Sequence, residues 1–551
     1  MRGLFFGHFV KWRTQKNIKT ITFLSISYLR DMHLLVIRKR LRYNVTIVRS
    51  MGMDITYGAK KENKEQIINA VLFCLLTLLA SLLSIGKVIA SDTNRTPLEM
   101  PFLDGFTYYP EQPPQFWIFF VPFILYIPTF IFLFYRLSDK GKILPKKRIW
   151  MVFLGFVIFR ILSCFCFPYG EQNYLFTSPF DGTIIPVTYA GFTIQERFIT
   201  LIEEICFYGY FVFFFTYFKQ LKTSIAIKTT YILFGLYFVF LLSLLFFSLV
   251  REGDKIANNI SIYFTDNREV AHITSYLNNR NVVGYFFFLG ACMMMITFLF
   301  KPNGFSVFFQ VFFTMVCLVL FSKTPSILCL MLLIVLMFSY PVFYYKEHKT
   351  LSQVFIGINI IFLLWLFLSL TFLREIYFDV RVKPILDMYA NSKTLEARND
   401  LTIACLSMES PYTWIFGFTK FPYTSIFKSY RALLPIDKSV QNSHNAFVNI
   451  LLEFGIPGLA LLLFGFGIFY YRMGKEFFIK KNPRFFFWMA ILTANLIYSY
   501  IEPNMIFQRE LTALFYIFIY LFPLELDIKF TKEFVPVKKP QLVKVNSSLV
   551  N

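Results

Sequence analysis

From about residue 67 onward the chain reads as long apolar runs broken by short charged segments. Nearly charge-free runs of this length predict membrane-spanning helices, because a helix needs about 20 apolar residues to cross hydrocarbon. Window and length predict about twelve spans. They are Ile67–Ile85, Pro114–Tyr135, Ile149–Phe167, Phe198–Phe218, Thr229–Val250, Gly284–Phe300, Phe305–Phe321, Ser326–Tyr344, Gln353–Phe372, Ala446–Tyr471, Phe485–Ile501 and Leu511–Leu526. One interval breaks the rhythm. From Arg374 to Asn445 the pattern is amphipathic around Val382–Tyr389 and Leu401–Met408, which predicts short helices capping the outer face. The expected organisation is a basic N-terminal segment (1–66), nine spans (67–372), a large outward loop (373–445), three spans (446–527) and a basic tail (528–551). The fold class is an all-α polytopic helix bundle.

Composition supports that class. Hydrophobic residues make up 56%, aromatic residues 20% and charged residues only 16% of 551, with mean hydropathy +0.55. A soluble domain has nearer a quarter of its residues charged. The formal net charge of +22 raises a nucleic-acid reading, but the distribution of the cations argues for membrane topology. They cluster between spans, at Arg136–Arg148, Lys219–Lys228, Lys301, Lys346–Lys349, Arg472–Arg484 and in the tail. With both termini in the cytoplasm this follows the positive-inside rule in part. Residues 1–66 carry the run Arg38, Lys39, Arg40 and Arg42 and no cleavable signal. Two readings stay open there: a cytoplasmic segment on anionic lipid, or a stretch ahead of a start at Met51 or Met53. Seven of the eight cysteines fall in spans and only Cys405 in a loop, which predicts buried thiols and no disulfide framework.

Candidate chemistry concentrates in Asn442–Gly458, NSHNAFVNILLEFGIPG. A polar cluster with His444 opens onto an apolar helix carrying Glu453 about two turns in, then Gly455, Pro457 and Gly458. Hydrocarbon tolerates such residues only where protein or a water-filled cavity satisfies them. Of five histidines, only His272 and His444 face outward on this topology, and none has metal-ligand spacing, so neither a metal nor a cofactor is expected. Arg160 lies at a depth similar to that of Glu203, roughly 10 Å from the outer end. A buried pair of Arg160 with Glu203 or Glu204 is one reading; contact with an anionic ligand is the other. Arg268, Arg280, Arg374, Arg381 and Arg431 read as solvated or headgroup-facing cations.

The segment HNAFVNILLEFGIPG resembles the signature of the O-antigen ligase and O-antigen polymerase family, a His-Asn pair followed by Glu-x-Gly-x-x-Gly. Upstream, EARNDLTIACLSMESPYTWIFGF resembles the same family's loop pattern and puts Arg398 and Gly417 on family positions. LFSKTPSILCLMLL resembles its short outward turn, with Lys323 where an arginine is usual; Thr419 stands where a second glycine is common. The resemblance spans roughly Phe305 to Tyr470. It implies a GT-C-type fold and a metal-independent, inverting glycosyltransferase in the cytoplasmic membrane. It also implies a donor glycan linked through diphosphate to undecaprenol, and as acceptor a lipid A core or a growing glycan. In that reaction His444 is the base for the acceptor hydroxyl, while Arg398 and Lys323, with Arg160 as a further candidate, hold the diphosphate. Glu453 either orients the histidine or ties its helix to a neighbour.

A lipid-linked-oligosaccharide flippase or other twelve-span transporter is the alternative, since that layout is common among transporters. The two halves of the chain show no similarity, and a transporter gives no reason for a His-Asn rim ahead of Glu-x-Gly-x-x-Gly.

Overall fold

Where the apolar runs are long, the chain is helical. The computed structural model describes residues 148–194, 196–198, 201, 223–265, 269–273, 280–390, 393–408, 411–435, 445–502, 517–521 and 523–528. The expected spans Ile67–Ile85 and Pro114–Tyr135, nearly all of Phe198–Phe218 and much of Leu511–Leu526 lie outside these residues, as do both basic terminal segments.

Among the described residues, six helices are long and apolar enough to cross a membrane. They belong to this series of helices: α1 (Arg148–Cys166), α2 (Thr223–Ser261), α3 (Arg280–Phe300), α4 (Gly304–Val319), α5 (Lys323–Tyr344) and α6 (Lys349–Leu370), then α11 (Ala446–Gly474) and α12 (Arg484–Ile501). The six are α2, α3, α5, α6, α11 with its π-helical continuation to Ile479, and α12. The protein is therefore a mostly helical, polytopic membrane protein.

Burial explains the differences between these helices. α3 is apolar on every side and is the central helix, with 94% of its span buried against α2, α4 and α5. α6 is the opposite case, with only 17% buried and Ile360, Ile361, Leu364 and Trp365 facing outward, as lipid contact requires. α2 runs for 39 residues, about 58 Å at helical rise, well beyond a hydrocarbon core of about 30 Å. It bends at Glu252, whose backbone leaves the helical region. α4 has 16 residues, shorter than the expected span Phe305–Phe321. The chain turns at Phe321, at φ 48°, and Ser322 then stands at the N-terminal cap position of α5 without a side-chain capping bond.

A cap covers one end of the bundle. Its main part is a π-helix (Arg374–Val382) and four short helices: α7 (Lys383–Ala390), α8 (Lys393–Leu406), α9 (Pro411–Phe416) and α10 (Lys420–Ala432). The all-helical expectation omits the other part, an antiparallel hairpin of β1 (Gln172–Thr177) and β2 (Ile184–Tyr189). Its strands alternate with period two and bury Phe176, Ile185, Val187 and Tyr189 on one face. A run this short hides between apolar spans, whose length dominates any window average. The hairpin face shares a core with Leu401, Cys405 and Met408 of the α8 segment, Tyr423, Phe427 and Tyr430 of α10, and Leu452 of α11. Buried Arg197 fastens the chain after the hairpin to the end of α1, donating to the carbonyls of Cys164 and Pro168 at 2.7 and 2.8 Å. That satisfies acceptors a helix end leaves open.

At the other end of the bundle, ion pairs hold the cations. Arg472 meets Glu525 at 2.6 Å, and Arg484 meets Asp527 at 3.0 Å, where Trp488 also donates to Asp527.

Candidate functional site

Helix α8 carries a buried stripe, Leu401, Ala404, Cys405 and, just past its end, Met408. Arg398 extends that stripe by one turn, so its side chain faces the bundle rather than water. Its Nη2 donates to Glu502 Oε1 at 2.6 Å and its Nη1 to the Ile501 carbonyl at 3.3 Å. Glu502 is buried at the end of α12, and the same Oε1 accepts from Asn281 Nδ2 at 3.0 Å. Arg280, one residue earlier at the start of α3, is near enough to interact with the charges of both Arg398 and Glu502. Lys323, at the start of α5, interacts with Arg280 and Arg398. The close approach that permits this is at Gly284, where a Cβ would collide with the Ser322 side chain. Three cations from three helices thus interact with one another, and two of them, Arg280 and Arg398, with the Glu502 carboxylate as well. His272 lies beside them; partial desolvation, then the Arg280 and Lys255 charges, hold its imidazole below the usual range and hence neutral at pH 7.

A second constellation sits where the cap crosses α11. Asn445 caps this helix, its side chain accepting from the backbone N–H groups of Phe447 and Val448. Nearly three turns on, the helix breaks at Gly455, at φ 67° and ψ −175°, a region open in practice only to glycine. The turn after α9 crosses at this break, with Gly417 at φ 71°. The Phe418 and Thr419 backbone N–H groups donate to the Leu452 and Glu453 carbonyls at 2.6 and 3.0 Å. Those carbonyls lose their helical partners at the break, so the cap supplies them. Neither glycine has room for a Cβ. At Gly417 it would strike the Glu453–Phe454 peptide, and at Gly455 the Ile415 carbonyl.

Thr419 sits in the same crossing at φ 60° and ψ 165°, fully buried. A β-branched residue is strained there, which gives a physical reason for glycine at this position. Thr419→Gly is expected to raise stability by about 1 kcal/mol, strain relief of ~1–3 kcal/mol outweighing the entropy glycine loses. Thermal unfolding in detergent would read this directly; an unchanged or lower midpoint would show that the threonine is not strained.

The sequence reading pairs Arg160 with Glu203 or Glu204, which lie outside the described residues. Among the described residues, the structure brings Arg160 to Glu453. Its Nη2 is 4.0 Å from Glu453 Oε2, and its guanidinium lies 3.8 Å from the centre of the Phe454 ring. Both charged side chains are buried. This ties α1 to the break in α11, as the neighbour-tying reading of Glu453 expects; its other reading, orienting His444, falls outside the described residues. His444 immediately precedes the Asn445 cap and lies outside the described residues. Arg280 is a correction: it does not extend into solvent but joins Arg398 and Lys323. Asn281 and Glu502 were missed as well. The available signal was an acid and a cation set at the very ends of apolar runs, where a helix end meets the cap. Cys405, expected in a loop, lies within α8; burial pushes its thiol up to about 12, so it is inert as a nucleophile.

The cation cluster can bind an anion with several oxygens, since an arginine fork and a lysine point charge suit phosphate. No curated protein and no solved structure shows a significant match to the chain. A family model described as O-antigen ligase matches residues 308–463, an interval that contains Lys323, Arg398, Gly417, His444, Glu453 and Gly455. Through this segment the chain is similar to the O-antigen ligase family.

Proposed function

We propose that the protein transfers a glycan from an undecaprenyl-diphosphate-linked donor to an acceptor hydroxyl at the outer face of the cytoplasmic membrane, as an O-antigen ligase. The observation that carries this reading is the convergence of Arg398, Lys323 and Arg280 at the capped end of the bundle. The positive-inside pattern puts that end outside, with both termini in the cytoplasm.

In this mechanism the cations take the donor's diphosphate. His444 accepts the proton of the acceptor hydroxyl, whose oxygen forms the new bond to the anomeric carbon. The bond from that carbon to the phosphate oxygen breaks, and its electron pair leaves with the lipid diphosphate. Attack opposite the leaving group inverts the anomeric centre. Fixed cations stabilise the charge that develops on the leaving group, so no metal is required. Arg160 and Glu453 act by positioning. They hold the break in α11 and so the helix that starts beside His444. The acceptor is a lipid A core in the ligase reading and a second lipid-linked chain in the polymerase reading.

Purified protein in liposomes, given lipid-linked glycan and acceptor, tests this. New covalent product that is lost in His444→Ala is the expected result. Glycan crossing the bilayer with no new bond would instead establish the transporter.

A further inference from the structure

We infer that Tyr263, Phe321 and Tyr389 form an aromatic clamp on the α4–α5 turn that positions Lys323 for the diphosphate. The inference rests on the donor reading above and adds the residues that place one of its cations. It starts from Phe321, whose φ of 48° is an outlier for a bulky side chain. Such strain persists only where the surroundings over-determine it, and it gathers at functional sites. Here the Phe321 ring stacks with both Tyr263 and Tyr389, at centroid distances of 5.6 and 5.5 Å and interplanar angles of 18° and 24°. The two tyrosine hydroxyls converge on a single acceptor. Both donate to the Leu318 carbonyl, at 2.9 and 3.1 Å, and they lie 3.3 Å from each other. The Phe321 N–H donates to the same carbonyl at 3.0 Å. Tyr263 follows α2 and Tyr389 belongs to α7, so the clamp joins a span, the cap and the turn. Other elements close the neighbouring carbonyls, which the end of α4 would leave open. Cys317 accepts from Ser326 Oγ of α5 at 2.7 Å, and Val319 accepts from Asn259 Nδ2 of α2 at 2.9 Å. Gly284 of α3 backs the turn at Ser322, where a Cβ would not fit. Residues 320–322 are thus held from α2, α3, α5 and α7. Lys323 comes next, as the first residue of α5. Its ammonium rides on a flexible four-carbon stem, so the fold sets where that charge can reach by fixing where the stem begins.

A clamp that acts through Lys323 must lose its effect on binding when Lys323 is gone. The probe is a short-chain polyprenyl diphosphate, used as a competitive inhibitor of glycan transfer by the full-length protein. Lys323→Ala is expected to raise the inhibition constant about tenfold, near the worth of one charge-assisted hydrogen bond. The double variant Tyr263→Phe, Tyr389→Phe keeps both rings and removes both hydroxyls, and is expected to raise the constant about threefold, a coupling of the size found between contacting residues. Combined with Lys323→Ala, it should raise the constant no further than Lys323→Ala does by itself. A merely structural role would multiply the two factors. That product, or an unchanged constant in the double tyrosine variant, overturns the inference while the donor reading stands. Wild-type inhibition of Lys323→Ala overturns it as well, because the clamp would then have no cation to place. Tyr389→Phe alone leaves the Tyr263 bond and covers the case in which the double variant does not fold; it should show the same loss of effect in the Lys323→Ala background, with a smaller factor. If the wild type shows no saturable inhibition by the diphosphate, the donor reading itself falls.

Discussion

Arg398→Ala is expected to cut the rate of glycan transfer by about 10²–10³, the usual cost of losing one fixed donor to a developing charge. The effect has two parts. One is lost stabilisation of the leaving diphosphate. The other is structural, because Glu502 is buried and would lose its 2.6 Å partner. Breaking a buried pair on one side costs about 3–5 kcal/mol where the pair is fully enclosed, and less at this half-open site. The double variant Arg398→Ala, Glu502→Gln separates them. It should recover stability without recovering turnover. Arg398→Lys keeps the charge but not the fork, so it should rescue the rate only in part. Turnover near wild type in Arg398→Ala would remove Arg398 from the diphosphate and leave it a structural residue.

Gly455→Ala is expected to destabilise the protein by about 3 kcal/mol or more, combining a disallowed φ with overpacking. A Cβ at this position meets the Ile415 and Trp414 carbonyls, which are backbone and cannot rotate away. Nor can the two segments separate, because the Phe418–Leu452 and Thr419–Glu453 hydrogen bonds hold them together. Gly417→Ala should act alike from the other side of the crossing. The readouts are a lower unfolding midpoint in detergent and faster proteolysis within residues 374–435. Wild-type values for both measurements in Gly455→Ala would show that the crossing is looser than described.

Legibility followed the length scale of the signal. Spans were legible because a long apolar run has few alternatives in a membrane; α3, α5, α6, α11 and α12 start within four residues of their expected positions. The helical cap was legible from the stripe Leu401, Ala404, Cys405 and Met408. The hairpin was not, because six-residue strands carry too little pattern beside longer runs. Arg398 and Lys323 came from a resemblance of motifs, which says that residues matter without saying what they touch. Arg280 and Glu502 went unassigned for a physical reason. Each lies at a helix end where no periodicity applies, and their proximity exists only once α3, α5, α8 and α12 have packed. The glycines at 417 and 455 were visible as residues. Their reason, a backbone crossing too close for a Cβ, is tertiary.

The central claim is that the cations at the capped end of the bundle form a seat for a diphosphate. Equilibrium binding of a polyprenyl diphosphate and of the matching monophosphate to the purified protein tests it most directly. The account predicts that the diphosphate binds at least about tenfold more tightly, since one added charge-assisted contact is worth that much, and that Arg398→Ala erases the preference. Equal binding of the two lipids, unaffected by that substitution, would contradict it.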